Sequence, residues 1–360
     1  MIELRELSKK YGEATAVDGI SLSINEGEMC VLIGPSGCGK STTLKMINRM
    51  IDMSSGDVYV RGQNIKDQKA EILRRRIGYV IQSIGLFPHM TVGENIAVVP
   101  KLLKWKDEKI KAQVDSLLEL VELGAEYADK YPSQLSGGEA QRVGVARALA
   151  AEPEILLMDE PFGALDPVTR ESLQKGLLRI QKKLKKTVVF VTHDIDEAVR
   201  LATKIAIMKD GRIMQYDTPQ NILSSPADKF TAKFVGKDRA LKNLSRKYAN
   251  EIMEKTAVVS LHAEMSEAET LFDGKVYLWV VNDEGELKGW LNKSDNSGGD
   301  CVEDNMSEVD TAEYSISEDS TLKDALSKLV MHGVVVLPVT KGDVVVGEVD
   351  IQKILEAGSE

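Results

Sequence analysis

Gly34-Pro35-Ser36-Gly37-Cys38-Gly39-Lys40-Ser41-Thr42 is the stretch that decides the fold. Its spacing, G-x-x-x-x-G-K-[ST], lets glycine backbone bend tightly and turn amide N–H groups toward phosphate oxygens, while a helix N-terminus adds positive partial charge. The apolar run Met29-Cys30-Val31-Leu32-Ile33 before it has the composition of a buried parallel strand, and Thr43-Leu44-Lys45-Met46-Ile47 after it continues as a helix. A mere glycine-rich turn has no need of these two flanks. Lys40 is therefore placed to reach the β and γ phosphates, and Ser41 to ligand Mg²⁺.

Working outward, residues 1–30 alternate apolar and polar, as in Ile2-Glu3-Leu4-Arg5 and Ile20-Ser21-Leu22-Ser23-Ile24, and read as antiparallel strands with one wet face. Tyr11, upstream of the loop, offers a ring for stacking on a purine. Ile77-Gly78-Tyr79-Val80-Ile81-Gln82 reads as a buried strand with Gln82 at its end, followed by the unusually apolar loop Ser83-Ile84-Gly85-Leu86-Phe87-Pro88-His89-Met90, a docking surface by its composition. Residues 106–131 carry helical periodicity, and Leu135-Ser136-Gly137-Gly138-Glu139 then opens a second helix whose serine and glycine amides form a second anion site. Ile155-Leu156-Leu157-Met158-Asp159-Glu160 ends a strand in two carboxylates, Asp159 placed for Mg²⁺ and Glu160 to orient or deprotonate a water. His193 ends another such strand, at the same rim, within reach of a γ-phosphate.

Composition narrows the partners. The chain has 360 residues and a net charge of −10, distributed unevenly. Residues 1–244 carry 36 basic and 32 acidic side chains, a balance of +4, whereas residues 245–360 carry 10 and 24, a balance of −14. Two modules are expected, and no basic block suggests nucleic-acid binding. Cys30, Cys38 and Cys301 lack metal-type spacing and suit a reducing cytosol. With no signal-peptide pattern and no run of about 18 apolar residues, a membrane role is expected to come through a partner.

Taken in order, Tyr11, residues 34–42, Gln82, residues 135–139, Asp159-Glu160, Ala164-Leu165-Asp166 and His193 resemble the nucleotide-binding subunit of ABC transporters over residues 1–236. The resemblance implies an α/β P-loop NTPase with a RecA-like parallel sheet core, an antiparallel β subdomain and an α-helical subdomain. It also implies an ATPase in which two copies pack head to tail. Ser136, Gly137, Gly138 and Asp166 of one copy then serve, in trans, the ATP held by residues 34–42 of the other. Catalysis falls to Glu160, His193, Gln82 and Lys40, and Mg²⁺ to Ser41, Gln82 and Asp159. Glu139 stands where the family's signature commonly has Gln. The text of residues 84–96 looks most like subunits serving glycine betaine, carnitine, choline and related compatible solutes, which implies membrane permease subunits, a substrate-binding protein and a peripheral place on the cytoplasmic face of the membrane.

A polar connector, 237–250, is expected to lead into a weak repeat. Residues 251–300 and 301–360 each read as strand, helix, strand, tight turn, strand, with 36 positions from Met253 to Gly289 in the first copy against 41 from Met306 to Gly347 in the second. The pair resembles tandem CBS domains, an α+β module, the first copy shortened. In the ribose-binding pattern of that family the first copy has Asn292 and Asp295, and the second has Asp350 and Lys353. A nucleotide such as cyclic di-AMP, ionic strength and simple dimerisation are the three roles left open for the tail. The rival readings are an ABC ATPase with no permease, an importer of another substrate, and a regulator whose ATPase is vestigial. One unsplit cassette and the intact Lys40, Asp159, Glu160 and His193 weigh against the first and last.

Overall fold

A computed structural model describes residues 1–82, 85–163, 165–273, 275–294 and 299–359. The chain divides into two compact units, Met1–Lys237 and Asp238–Glu360.

The first unit is built on two sheets. Ile2–Tyr11, Ala14–Ile24, Ser55–Val60 and Gln63–Asn64 form an antiparallel sheet whose apolar alternation buries Ile2, Leu4, Ile24 and Val58. The second sheet has six strands in the order Arg212–Asp217, Lys204–Lys209, Met29–Ile33, Thr187–Thr192, Ile155–Asp159 and Ile77–Val80. All its pairings are parallel except that of the Arg212–Asp217 edge. Its central strands are buried on both faces, which is why they read as unbroken apolar runs. Met29, Val31 and Ile33 join one core with helical residues such as Ile96, Leu118 and Val143, whereas Cys30 and Leu32 join the other with Leu44, Leu4 and Val58. The parallel strands bring their carboxyl ends to one rim, where ligand sites of open α/β sheets gather.

The helical segment expected at 106–131 resolves into Asp107–Leu120 and a short 3₁₀ turn, Ala125–Asp129. A second helix, Val92–Leu102, has no counterpart in the sequence reading. Thr91 and Glu94 cap its start reciprocally, and Pro100 sits inside it, the kind of residue that hides a helix from a periodicity argument.

In the second unit the strand, helix, strand, turn, strand order occurs twice: Val258–Ser260, Met265–Leu271, Tyr277–Val281 and Leu287–Asn292, then Ile316–Ser317, Leu322–His332, Val336–Lys341 and Val344–Asp350. Two expected boundaries are corrected. Residues 237–250 are not a free connector, because Arg239–Leu244 is a helix and Leu244 and Ala249 are buried with Leu322, Leu337 and Ile354 of the second repeat. Residues 301–308 belong with the first repeat, because Ser307–Glu308 pairs with Leu287–Asn292 and Val302 packs on Val259 and Leu278. Each repeat thus completes its core with a segment taken from just before the other. Among the described residues no helix is long and apolar enough to cross a membrane.

Candidate functional site

The loop between Met29–Ile33 and the helix Lys40–Ile47 closes through Gly39, which caps the helix in left-handed backbone at φ 101°. A Cβ there would lie 2.4 Å from the Ala16 carbonyl oxygen, so only glycine fits. Lys40 is buried, and its Nζ donates to the carbonyls of Gly34 at 2.7 Å and Pro35 at 3.0 Å. The ammonium is held inside the loop by neutral acceptors that phosphate oxygens can replace. Cys38 is buried in the same loop, and burial, set against the nearby Lys40 charge, raises its thiol pKa. Pro35, Ser36 and Gly37 are exposed at the loop's outer bend, and Thr42 is half-buried in the first helical turn.

Two pairings organise the rim. Ser41 donates its hydroxyl to Asp159 Oδ1 at 2.7 Å, setting a hydroxyl and a carboxylate oxygen side by side. Hard oxygen donors in this number fit Mg²⁺, which takes one or two protein ligands and completes its shell from substrate phosphates and water. Among the described residues no cluster of three or more His, Cys, Asp or Glu competes for a metal. Next to that pair, Gln82 donates Nε2–H to Glu160 Oε2 at 3.2 Å, and His193 Nδ1 lies 3.5 Å from the same oxygen. Gln82 therefore faces Glu160 through its amide nitrogen and makes no hydrogen bond to Ser41 or Asp159. Glu160 adopts φ 45°, an uncommon conformation for a side chain of its size, fixed by its N–H donating to the Val191 carbonyl at 3.0 Å. The strain aims one carboxylate at two polar groups from neighbouring strand ends.

Tyr11 ends its strand with the ring half exposed, Lys9 Nζ lying 5.0 Å from its centroid. The residues at 136–138 and 166 join neither pairing. Ser136 caps the helix Gly137–Leu149, accepting from the Glu139 N–H, while Glu139 accepts from the Ser136 N–H and hydroxyl. The Tyr127 hydroxyl is the largest influence on Glu139, and with Ser136 it brings the carboxyl down to about 2. A Cβ on Gly138 would lie 2.2 Å from Thr169 Cγ2, and Asp166 caps Pro167–Leu184 by accepting from the Thr169 N–H at 3.0 Å. Because Gly138 packs on Thr169 and Asp166 caps the same turn, these two helix starts lie together, with Ser136 and Gly137 exposed and Gly138 buried.

Ser83 and Ile84 of the apolar loop, and Ala164 of the turn before Asp166, lie outside the described residues, as does Asp295. The rest of the apolar loop is pinned by the buried Asn95, which accepts from the Phe87 N–H and donates to the Phe87, Met90 and Thr91 carbonyls. Phe87 itself stays exposed.

Sequence reasoning overlooked Glu197, which is buried and accepts from Thr192 Oγ1 at 2.6 Å and from Gln174 Nε2 at 3.2 Å. Burial raises its pKa, against the lowering pull of Thr192. It braces the strand end that carries His193; its signal was an acid four residues after a strand-end histidine.

A family model described as "ABC transporter" matches residues 17–163, and one described as "CBS domain" matches residues 306–360. The choline transport ATP-binding protein OpuBA of Bacillus subtilis (strain 168) is 47% identical over 358 aligned residues, covering 95% of this chain and 92% of the relative. The glycine betaine/carnitine/choline transport ATP-binding protein OpuCA of the same organism is 46% identical, covering 94% and 91%. Among solved structures, the dimeric ATP-binding cassette MJ0796 in a post-hydrolysis state bound to ADP and phosphate is 36% identical, with a TM-score of 0.55 and coverage of 61% of this chain and 99% of that one.

Proposed function

Because the chain belongs to the ATP-binding subunits of ABC transporters that carry a C-terminal CBS domain, we propose that it hydrolyses ATP to drive import of quaternary-amine compatible solutes, choline, carnitine and glycine betaine among them. The observation that carries the solute class is the extent of the similarity: both choline-type relatives align over more than nine-tenths of this chain, the second unit included.

In this reading the amides of residues 34–42 and the Lys40 ammonium hold the phosphates, and Tyr11 stacks on the adenine. Ser41 and Asp159 hold Mg²⁺, with Gln82 joining them once its side chain leaves Glu160. The ion, when bound, offsets charge on the β and γ phosphate oxygens. Glu160 takes a proton from the attacking water, and His193 and Gln82 keep its carboxylate turned to that place. A second copy brings Ser136, Gly137, Gly138 and Asp166 to the same ATP, the dimeric cassette relative being the precedent. The surface around Phe87 docks on a membrane permease at the cytoplasmic face, and a substrate-binding protein delivers the solute to that complex. The domain division of this reading is 1–236 for the nucleotide-binding domain, followed by a tandem CBS module with the corrected segment exchange. That module, whose second copy matches the CBS family, regulates the ATPase through a small ligand, a nucleotide such as cyclic di-AMP being one candidate.

Purification with its permease subunits into proteoliposomes tests this directly. ATP-dependent uptake of choline or glycine betaine, absent with Lys40→Ala, is the expected result. ATP hydrolysis coupled only to some unrelated solute such as sulfate would defeat the solute assignment.

A further inference from the structure

The second unit contains a cavity that the ATPase chemistry does not use. It has a volume of about 260 Å³ and is walled by Tyr277, Trp279, Trp290 and Tyr314, with Asn292 and Leu337 among its other lining residues. The rings follow one another at centroid distances of 5.1, 6.5 and 5.5 Å, with interplanar angles of 59°, 78° and 64°. The rings pack edge to face or tilted on one another, and all four belong to the cavity wall. No consecutive pair of these rings forms a parallel slot that would sandwich a flat base, whereas a compact, rounded group needs none.

Behind the rings lies Glu348, whose side chain is 15% exposed. It accepts from Trp279 Nε1 at 2.9 Å, Tyr277 Oη at 3.2 Å, Thr256 Oγ1 at 2.6 Å and Lys275 Nζ at 2.8 Å. Burial opposes its ionisation, but the hydrogen bonds from Lys275, Thr256 and Trp279 outweigh it and lower its pKa. A carboxylate that accepts from the edge of a ring polarises it and makes its face more negative. No Lys, Arg, Asp or Glu is among the described residues lining the cavity, so these residues offer a phosphate no cation. Asn292 Oδ1 is taken by Ser294, which leaves its Nδ2–H for a hydroxyl or carboxylate.

We infer that this aromatic cavity binds a quaternary ammonium group, its methyls against the rings and its charge held by cation–π attraction. Joined to the reading of the chain as part of a quaternary-amine importer, on which this step rests, the ligand is the imported solute itself. The second unit then reports accumulated product to the ATPase.

The test is titration of the full chain with tetramethylammonium, choline, glycine betaine, cyclic di-AMP and 3,3-dimethylbutan-1-ol, the uncharged isostere of choline, followed by calorimetry and tryptophan emission. Two of the three tryptophans line the cavity, so emission reports occupancy. Saturable choline binding is expected, with the isostere about tenfold weaker, the size of a desolvated cation–π contact. Trp290→Ala should weaken choline by a similar factor while the second unit's urea unfolding midpoint stays close to the parent's, which guards against misfolding; Trp279→Phe gives an independent second variant. Equal affinity for the isostere, saturation only by cyclic di-AMP, or no saturable change with any ligand would overturn the inference. Absent choline binding alongside intact choline uptake overturns this inference alone. Choline binding in a chain that powers uptake of another solute keeps the pocket and overturns product sensing.

Discussion

Glu139→Gln perturbs the start of the helix Gly137–Leu149 without changing side-chain length. The carboxylate accepts from the Tyr127 hydroxyl, the Ser136 N–H and the Ser136 hydroxyl, and these hold its pKa at about 2 against the usual 4.5. Fully expressed, that difference would stabilise the fold by about 3 kcal/mol at neutral pH. The side chain is solvent-accessible, and screening leaves about 1 kcal/mol. The folded pKa is depressed, so the contribution is complete above 4.5 and is lost as pH falls toward 2. An amide keeps the side chain's size but only one acceptor oxygen, and it carries no titrating charge. In scanning calorimetry the first unit's transition is recognised because Mg-ATP raises it. At pH 7 the variant should melt about 2–4 °C lower than the parent in that transition, with the gap narrowing as pH is taken toward about 3.5. No gap at neutral pH, or a gap that widens on acidification, would refute the assignment of Glu139 as a charged cap.

Gly39→Ala sets a Cβ 2.4 Å from the Ala16 carbonyl at φ 101°; affinity for a fluorescent ATP analogue should fall by about tenfold or more, and unchanged affinity would mean the loop is not the cradle. Glu348→Leu leaves the Lys275, Thr256, Tyr277 and Trp279 donors without their acceptor. Urea unfolding followed by tryptophan emission should show the second unit less stable by about 3 kcal/mol, and a neutral substitution would discount the hub. Cys301 is exposed, whereas Cys38 is buried and Cys30 is buried with its thiol pushed up to about 12. A thiol reagent should find one fast equivalent in the native chain and all three after denaturation; three fast equivalents would contradict the buried placement.

The first unit was legible in sequence because its parallel strands are local apolar runs that end in the polar residues the site uses. Met29–Ile33, Ile155–Asp159 and Thr187–Thr192 announce themselves, and their shared direction brings residues 34–42, Asp159 and His193 to one rim. What escaped depends on contacts distant in the chain. The pairing of Ser307–Glu308 with the first repeat and the burial of Leu244 under the second are decided by which core has room, and neither segment has a periodic pattern of its own. The aromatic cavity is likewise gathered from Tyr277, Trp290 and Tyr314, residues that are unremarkable singly. Glu160's left-handed backbone follows from a hydrogen bond to a neighbouring strand, which no local propensity encodes.

The central claim is that Glu160 deprotonates the attacking water at a site built by residues 34–42, Asp159 and His193. Phosphate release by Glu160→Gln, measured beside equilibrium ATP binding by the same protein, tests it most directly. Turnover should fall by about a hundredfold or more while ATP affinity stays within about threefold. Hydrolysis at the parent rate by a variant that binds ATP normally would contradict the account.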